Sequence, residues 1–189
     1  MRVLVIGFTK INYMPYMHFY INQLKELDCD ISLIYWARDN TPDMKPPRGI
    51  KEYCYSDYML DSEPILNKIP HFYKFRNFAK KIINKKFDLI IVLHSTPGVL
   101  LTDVLTRKYS GKYILDYRDF TYEKFSIYKK VIHRLINNSI ITFVSSKGYM
   151  INLPISKNIF ISHNLLVHSS DERNVRKTID RDSDPLRIR

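Results

Sequence analysis

Apolar and polar positions come in blocks along this chain, and the length and period of each block separate strands from helices. Residues 2 to 8 (RVLVIGF) form a short, nearly unbroken apolar run rich in β-branched side chains, the pattern of a strand covered on both faces. After Pro15, which suits the first turn of a helix, Met17, Tyr20, Ile21, Leu24 and Leu27 recur at helical spacing. ISLIYW (31–36) reads as a second strand. The stretch ARDNTPDMKPPRG, with three prolines and a glycine, reads as a loop, and IKEYCY as a third, weaker strand.

The alternation continues. A helical pattern runs from about Pro64 to Lys86, and Pro70 leaves its start either there or near His71. DLIIVLH (88–94) is a buried strand, followed by a helix over about 97–109 that Gly111 ends. KYILDY (112–117), a helix over about 125–138, IITFVS (140–145), a short helix and NIFIS (158–162) complete the series. Strands alternating with helices imply right-handed βαβ units, so the expected class is α/β: a Rossmann-like, doubly wound, mostly parallel sheet with helices on both faces. That assigns residues 1–165 to one domain. Beyond Asn164 the pattern stops, and 166–189 reads as a linker whose final LRIR starts a strand of a further domain, or else as a frayed tail.

Composition narrows the class. With 189 residues, 45% of them hydrophobic, the chain suffices for one substantial core but not two. A net charge of +11 favours polyanionic partners without choosing among lipid headgroups, phosphorylated substrates and nucleic acid. The only cysteines, Cys29 and Cys54, are far apart in sequence, which suggests neither a disulfide framework nor a zinc site and fits a reducing cytoplasm. The apolar run at Met1 to Phe8 is short and lacks a cleavage site, so it reads as a strand rather than a signal peptide, and no stretch has the length of a membrane span.

In open parallel sheets, ligands bind beyond the carboxyl ends of the strands. Five such ends carry compact polar groups: Thr9 and Lys10; His94, Ser95 and Thr96; Asp116 to Asp119; Ser145 and Ser146; His163 and Asn164. In KYILDYRDF, strand alternation sets Asp116 at the margin of the core and sends Arg118 and Asp119 toward the rim. A carboxylate there can take a proton or bind sugar hydroxyls while the guanidinium binds phosphate. The alternative is an Arg–Asp pair that only ties the loop down. His94 can serve as base or donor beside a helix start, or be structural; Ser145 and Ser146 can simply cap the next helix. The histidines show no ligand spacing, so no metal is expected. A single glycine after the first strand argues against the usual dinucleotide turn, and no phosphate-binding G-x-x-x-x-G-K-[ST] loop is present.

The segment 64–87 holds seven basic residues and no acid. Ile65, Ile69, Phe72, Phe75, Ala79, Ile82 and Ile83 fall close to one stripe, with Lys74, Arg76, Lys80, Lys81 and Lys85 largely opposite. Such a helix suits an anionic membrane surface or, in the plainer reading, packs its stripe on the sheet. No nucleic-acid-binding module is recognisable.

Taken together, DLIIVLHS, YILDYRDF, ITFVSS and NIFISHN, in this order, resemble the N-terminal domain of GT-B-fold glycosyltransferases, in particular the retaining family 4 that builds bacterial surface polysaccharides such as capsule or lipopolysaccharide. The resemblance covers nearly all of residues 1–165. It implies an acceptor-side domain, with the nucleotide-sugar donor held mainly by a C-terminal domain, no separate cofactor, and a half-enzyme that is inactive alone. It further implies Arg118 and Asp119 as the catalytic-site pair, where many members carry a histidine. Acceptor contacts fall to Thr9, Lys10, His94, Ser95, Thr96, Asp116, Ser145 and Asn164, although Leu165 stands where the family's late signature has glycine. The implied partners are a nucleotide-sugar, a lipid-linked or growing glycan and an anionic membrane surface. The implied location is the cytoplasm, peripheral at the inner face of the plasma membrane. The competing reading is a non-catalytic module that docks on a membrane or a partner through the basic helix 64–87.

Overall fold

The computed structural model describes residues 1–118, 122, 125–151 and 153–162. The elements follow in the order β1 (Arg2–Ile6), α1 (Met17–Glu26), β2 (Asp30–Ala37), β3 (Lys51–Ser56), α2 (Ile65–Ile83), β4 (Leu89–Leu93), α3 (Ser95–Leu100), α4 (Thr102–Lys108), β5 (Tyr113–Tyr117), α5 (Ser126–Asn138), β6 (Ile141–Val144), α6 (Lys147–Met150) and β7 (Ile159–Ile161). A short 3-10 turn, Ile11–Tyr13, lies between β1 and α1. The seven strands form one sheet in the order β3-β2-β1-β4-β5-β6-β7, and each adjacent pair is parallel. The expected Rossmann-like α/β sheet is therefore present. The strand order reverses direction at β1, which puts the crevice at the carboxyl ends of β1 and β4.

Strand alternation divides the core into two layers. On one face, Leu4, Ile6, Ile34, Trp36, Val92, Leu115 and Val144 meet α2, α4 and α5. On the other, Val3, Val5, Ile31, Leu33, Ile91 and Leu93 meet Met17, Tyr20, Ile21 and Leu24 of α1. Each fully buried aliphatic or aromatic side chain stabilises the fold by about 1.5–3 kcal/mol relative to exposure, so these stripes outweigh local propensity.

One helix follows the longer of its two expected spans past a proline, and one departs from expectation. α2 starts at Ile65 and continues through Pro70, although the proline supplies no N–H to the preceding turn. Phe75, Ala79, Ile82 and Ile83 explain its persistence, since all four are buried against the sheet and Phe75 stacks on Trp36 at 5.5 Å. The single helix expected over 97–109 begins earlier and divides at Leu101 into α3 and α4. Thr102 Oγ1 donates to the carbonyls of Gly98 and Val99 at the break, a side-chain substitute for the interrupted backbone ladder.

Candidate functional site at the carboxyl rim

β1, β4 and β5 end side by side, and their polar residues divide into two groups with different chemistry. At the end of β1, a Cβ on Gly7 would stand 2.4 Å from Met14 Sδ, so a side chain there would have to push the methionine tip aside. Lys10 is only 2% exposed. Its Nζ donates to Asp39 Oδ1 at 2.7 Å, to the Thr41 carbonyl at 2.7 Å and to Thr41 Oγ1. The Lys10 hydrogen bond, helped by those from Thr41, holds the Asp39 carboxyl down at about 2. Asp43 accepts the backbone N–H groups of Ile11 and Asn12, both at 3.0 Å. The loop after β2 is thus strapped across the end of β1. This differs from the expectation of an outward-facing Lys10, because a buried ammonium needs acceptors and the loop supplies them. Thr9 is half-buried, and its carbonyl accepts the Trp36 N–H at 3.3 Å.

At β4 and β5 the network is denser. The His94 N–H donates to the Asp116 carbonyl at 2.9 Å, extending the ladder by one residue. Asp116 is fully buried; its Oδ1 accepts from Arg118 Nε at 2.7 Å and its Oδ2 from the Tyr20 hydroxyl at 2.9 Å. The Arg118 guanidinium lies 4.5 Å from the centre of the Tyr16 ring, and the Tyr16 hydroxyl bonds His94 Nε2. Arg118 is 6% exposed, so it turns inward rather than out over the rim. Burial pushes the Asp116 carboxyl up, against the opposing pull of Arg118, Tyr20 and His94. Burial, reinforced by Asp116, also pushes the Tyr20 phenol up. Arg118 keeps its proton more firmly, since Asp116 outweighs the desolvation of the guanidinium.

His94 has φ 76° and ψ 161°, a region that side-chain-bearing residues avoid. Ser95 and Thr96 follow it into α3 and are buried, with Ser95 Oγ accepting from the Tyr128 hydroxyl at 2.9 Å. The structure thus brings His94, Asp116 and Arg118 together, joins Ser95 and Thr96 to them through α3, and keeps Lys10 in its own cluster. Ser145 is half-buried after β6, and Ser146 precedes α6 without a side-chain cap. Asp119 and Asn164 lie outside the described residues.

Tyr20 escaped sequence reasoning because it counted only as an apolar position, and Tyr16 because it preceded the stripe; the available signal was tyrosine, with its hydroxyl, at the start of the helix that follows a polar strand end. Arg38 was also missed. It lies 4.7 Å from the centres of both the Phe8 and Trp36 rings and donates to Asp61 at 2.7 Å. Asp57 pairs with His71 Nδ1 at 2.7 Å and accepts from the Tyr55 hydroxyl at 2.9 Å, joining β3 to α2.

The basic helix is also reassigned in part. The lower half of its apolar stripe packs on the sheet, as the plainer reading has it. Arg76 NH2 and Lys80 Nζ both donate to Asp103 on α4, at 2.9 and 2.8 Å. Lys85 Nζ bonds the Tyr53 hydroxyl at 3.2 Å, and Lys74 sits 3.7 Å from Asp57. Lys81 is exposed. What α2 leaves open is its first half, where Ile65, Leu66, Ile69 and Tyr73 are all exposed. Among the described residues, no helix is long and apolar enough to cross a membrane, and no metal-holding cluster occurs.

Several solved glycosyltransferase structures share this fold. Sucrose-phosphate synthase from Thermosynechococcus elongatus matches with a TM-score of 0.61 at 13% identity, over 95% of this chain and 96% of that one. UGT89C1 of Arabidopsis thaliana, complexed with UDP, matches at 0.55 and 13% identity over 98% of this chain. UGT2 of Phytolacca americana, in its apo form, matches at 0.51 and 10% identity over 94%. The chain spans 55% of each plant protein's length. No protein-family model matches the sequence, and no curated protein sequence matches it. At these identities the likeness is one of fold: a seven-stranded, Rossmann-like sheet shared with glycosyltransferases.

Proposed function

We propose that this chain is the acceptor-side half of a retaining, GT-B-fold glycosyltransferase of the family 4 kind, passing a hexosyl unit from a nucleotide-sugar to a lipid-linked or growing polysaccharide. The observation that carries the reading is the rim beside the switch point, where His94 at the end of β4 meets Asp116 and Arg118 at the tip of the neighbouring β5, in a sheet fold shared with glycosyltransferases. In this scheme the Asp116–Arg118 pair fixes the strand tip and leaves the loop carrying Asp119 to position the acceptor hydroxyl. The donor nucleotide binds in a second domain, in keeping with the 55% span of the plant chains and the UDP held by one of them. Half of the groups that stabilise the transition state are then supplied from elsewhere, and residues 1–189 alone turn over no donor.

The test is to express the reading frame extended downstream of Arg189 and to assay nucleotide release from common nucleotide-sugars in the presence of lipid-linked acceptors. Sugar transfer by the longer chain, lost on Asp119→Asn, is the expected result; no transfer with any common donor sinks the reading.

The second reading is a non-catalytic module docked on the cytoplasmic face of an anionic membrane. The observation favouring it is the exposed row Ile65, Leu66, Ile69 and Tyr73 beside Lys74, with Lys81 further along α2. Arg76 and Lys80, paired with Asp103, contribute little to such docking. Co-sedimentation with anionic but not neutral vesicles, abolished by Leu66→Glu, supports it; equal binding to both removes it.

A further inference from the structure

Three cations are enclosed at the carboxyl rim, and two of them are matched. Lys10 has Asp39 and Thr41, and Arg118 has the fully buried Asp116. Arg38, one residue past β2, is the exception. Its guanidinium is wedged between the rings of Phe8 and Trp36, 4.7 Å from each centre, and its side chain is 13% exposed. Nη2 donates to the Phe8 carbonyl and Nη1 to Asp61 Oδ1 at 2.7 Å, while Nε is buried and has no acceptor among the described residues. Asp61 is itself 77% exposed, so it holds the guanidinium from the solvent side. Burial loosens the hold of Arg38 on its proton, and Asp61 and Tyr122 oppose that only in part. A buried cation with a spare donor and a partner standing in water is a receptor for an oxyanion.

The surroundings say which oxyanion. Lys68 Nζ on α2 donates to the Asp61 backbone carbonyl at 2.6 Å, which sets an ammonium beside the partner of the guanidinium. The other acids between β3 and α2 are engaged elsewhere: Asp57 pairs with His71, and Glu63 accepts the Leu60 N–H at 3.1 Å. Tyr122, on the loop after β5, lies close enough for its phenol to feel both Arg38 and Asp61. Its ring meets Tyr128 at 5.6 Å, and the Tyr128 hydroxyl reaches Ser95, which links the Arg38 pair to the crevice at β1 and β4. We propose that Arg38, backed by Lys68, receives the phosphoryl group of a phosphorylated ligand, and that Asp61 occupies the place of that group until the ligand displaces it. Two cations suit a phosphate monoester, with about −1.5 to −2 charges at pH 7, better than they suit one carboxylate. The planar guanidinium can take two phosphate oxygens at once, and the rings of Phe8 and Trp36 hold that plane. A soluble sugar phosphate and a lipid headgroup offer the same phosphoryl chemistry to this receptor. The assignment needs no transfer reaction and stands if the chain proves not to be a glycosyltransferase.

Binding of inorganic phosphate to the full 189-residue chain tests it, followed by calorimetry and by the emission of Trp36, the only tryptophan. Asp61→Asn removes the resident carboxylate and is expected to tighten phosphate binding about fivefold, the reach of a partly exposed ion pair. Arg38→Lys keeps the charge but loses the flat fork, and Lys68→Met drops the second cation. Each is expected to cancel the gain when added to Asp61→Asn, and Lys68→Met keeps the test open should the change at 38 disturb folding. Two further arms identify the source of the phosphate: glucose 1-phosphate against glucose, and phosphatidate against phosphatidylcholine vesicles. A gain with the soluble ester supports a sugar phosphate; a gain confined to phosphatidate supports a headgroup on the same receptor. Equal affinity of wild type and Asp61→Asn in every arm overturns the proposal. So does a gain that survives both Arg38→Lys and Lys68→Met, since the phosphate then sits elsewhere on a chain of net charge +11.

Discussion

The ends of β1 and β5 both place a cation beside a carboxylate at the carboxyl rim, yet the two pairs are electrostatic opposites. At β1 the cation is the buried partner: Lys10 is enclosed, while Asp39 has a side chain 31% exposed and a carboxyl held far below its ordinary value. At β5 the carboxylate is the most enclosed member: Asp116 has no exposure, its carboxyl is pushed up, and Arg118, Tyr20 and His94 only partly offset the cost of burial. A depressed acid holds its loop in place, so the first pair is a fastener. An acid raised by desolvation is an expense in stability that folding alone does not call for, and it sits next to the strained backbone of His94. The rim at β4 and β5 is for that reason the better candidate for chemistry.

The largest effect expected from breaking this contrast follows Asp116→Ala. Removing one partner of a buried pair leaves Arg118 uncompensated, and the cost is about 3–5 kcal/mol. Urea unfolding measures it; a loss under 1 kcal/mol would mean that Arg118 finds another acceptor and that the pair is not the anchor of the strand tip. Lys10→Met comes next, with a smaller loss, because Asp39 regains solvent once the lysine is gone.

The fastener also has a pH signature. Asp39 has its folded value lowered to about 2 from 3.8, so its contribution is fully present above the ordinary carboxylate range and is lost as pH falls through that window. Thermal melts between pH 5 and 2 are expected to fall more steeply for the wild type than for Asp39→Asn; parallel curves would refute the Lys10 strap. Asp116, being raised, acts with the opposite sign: it binds more protons folded than unfolded, so its own contribution diminishes as pH rises past the ordinary value.

Much of this architecture was legible in the chain because hydrophobic period is a local signal. The runs RVLVIGF, ISLIYW, DLIIVLH and YILDY became β1, β2, β4 and β5, and their polar ends marked the rim. The roles at that rim were not legible, since orientation is decided by partners distant in sequence. Lys10 turns inward because of Asp39 and Thr41, and Arg118 because of Asp116 and the Tyr16 ring. Pro70 left the start of α2 open for the same reason: it is Phe75, Ala79, Ile82 and Ile83 that bury enough surface to carry the helix past a missing N–H. Arg76 and Lys80 looked like a free basic face until α4 placed Asp103 opposite them.

The smallest effect is the sharpest about strain. At His94 the usual ranking of glycine below alanine is expected to invert. Elsewhere glycine costs about 0.5–1 kcal/mol relative to alanine through its larger freedom in the unfolded chain. At φ 76° and ψ 161° the alanine Cβ is itself unfavourable, by about 1–3 kcal/mol, and glycine is not. Both substitutions lose the Tyr16 bond equally, so that loss cancels between them. His94→Gly should therefore be more stable than His94→Ala by about 1 kcal/mol, read as a higher urea midpoint at unchanged slope. If alanine proves the more stable, the backbone at the end of β4 carries no strain, and the rim at β4 and β5 loses one of the two features that set it apart from the rim at β1.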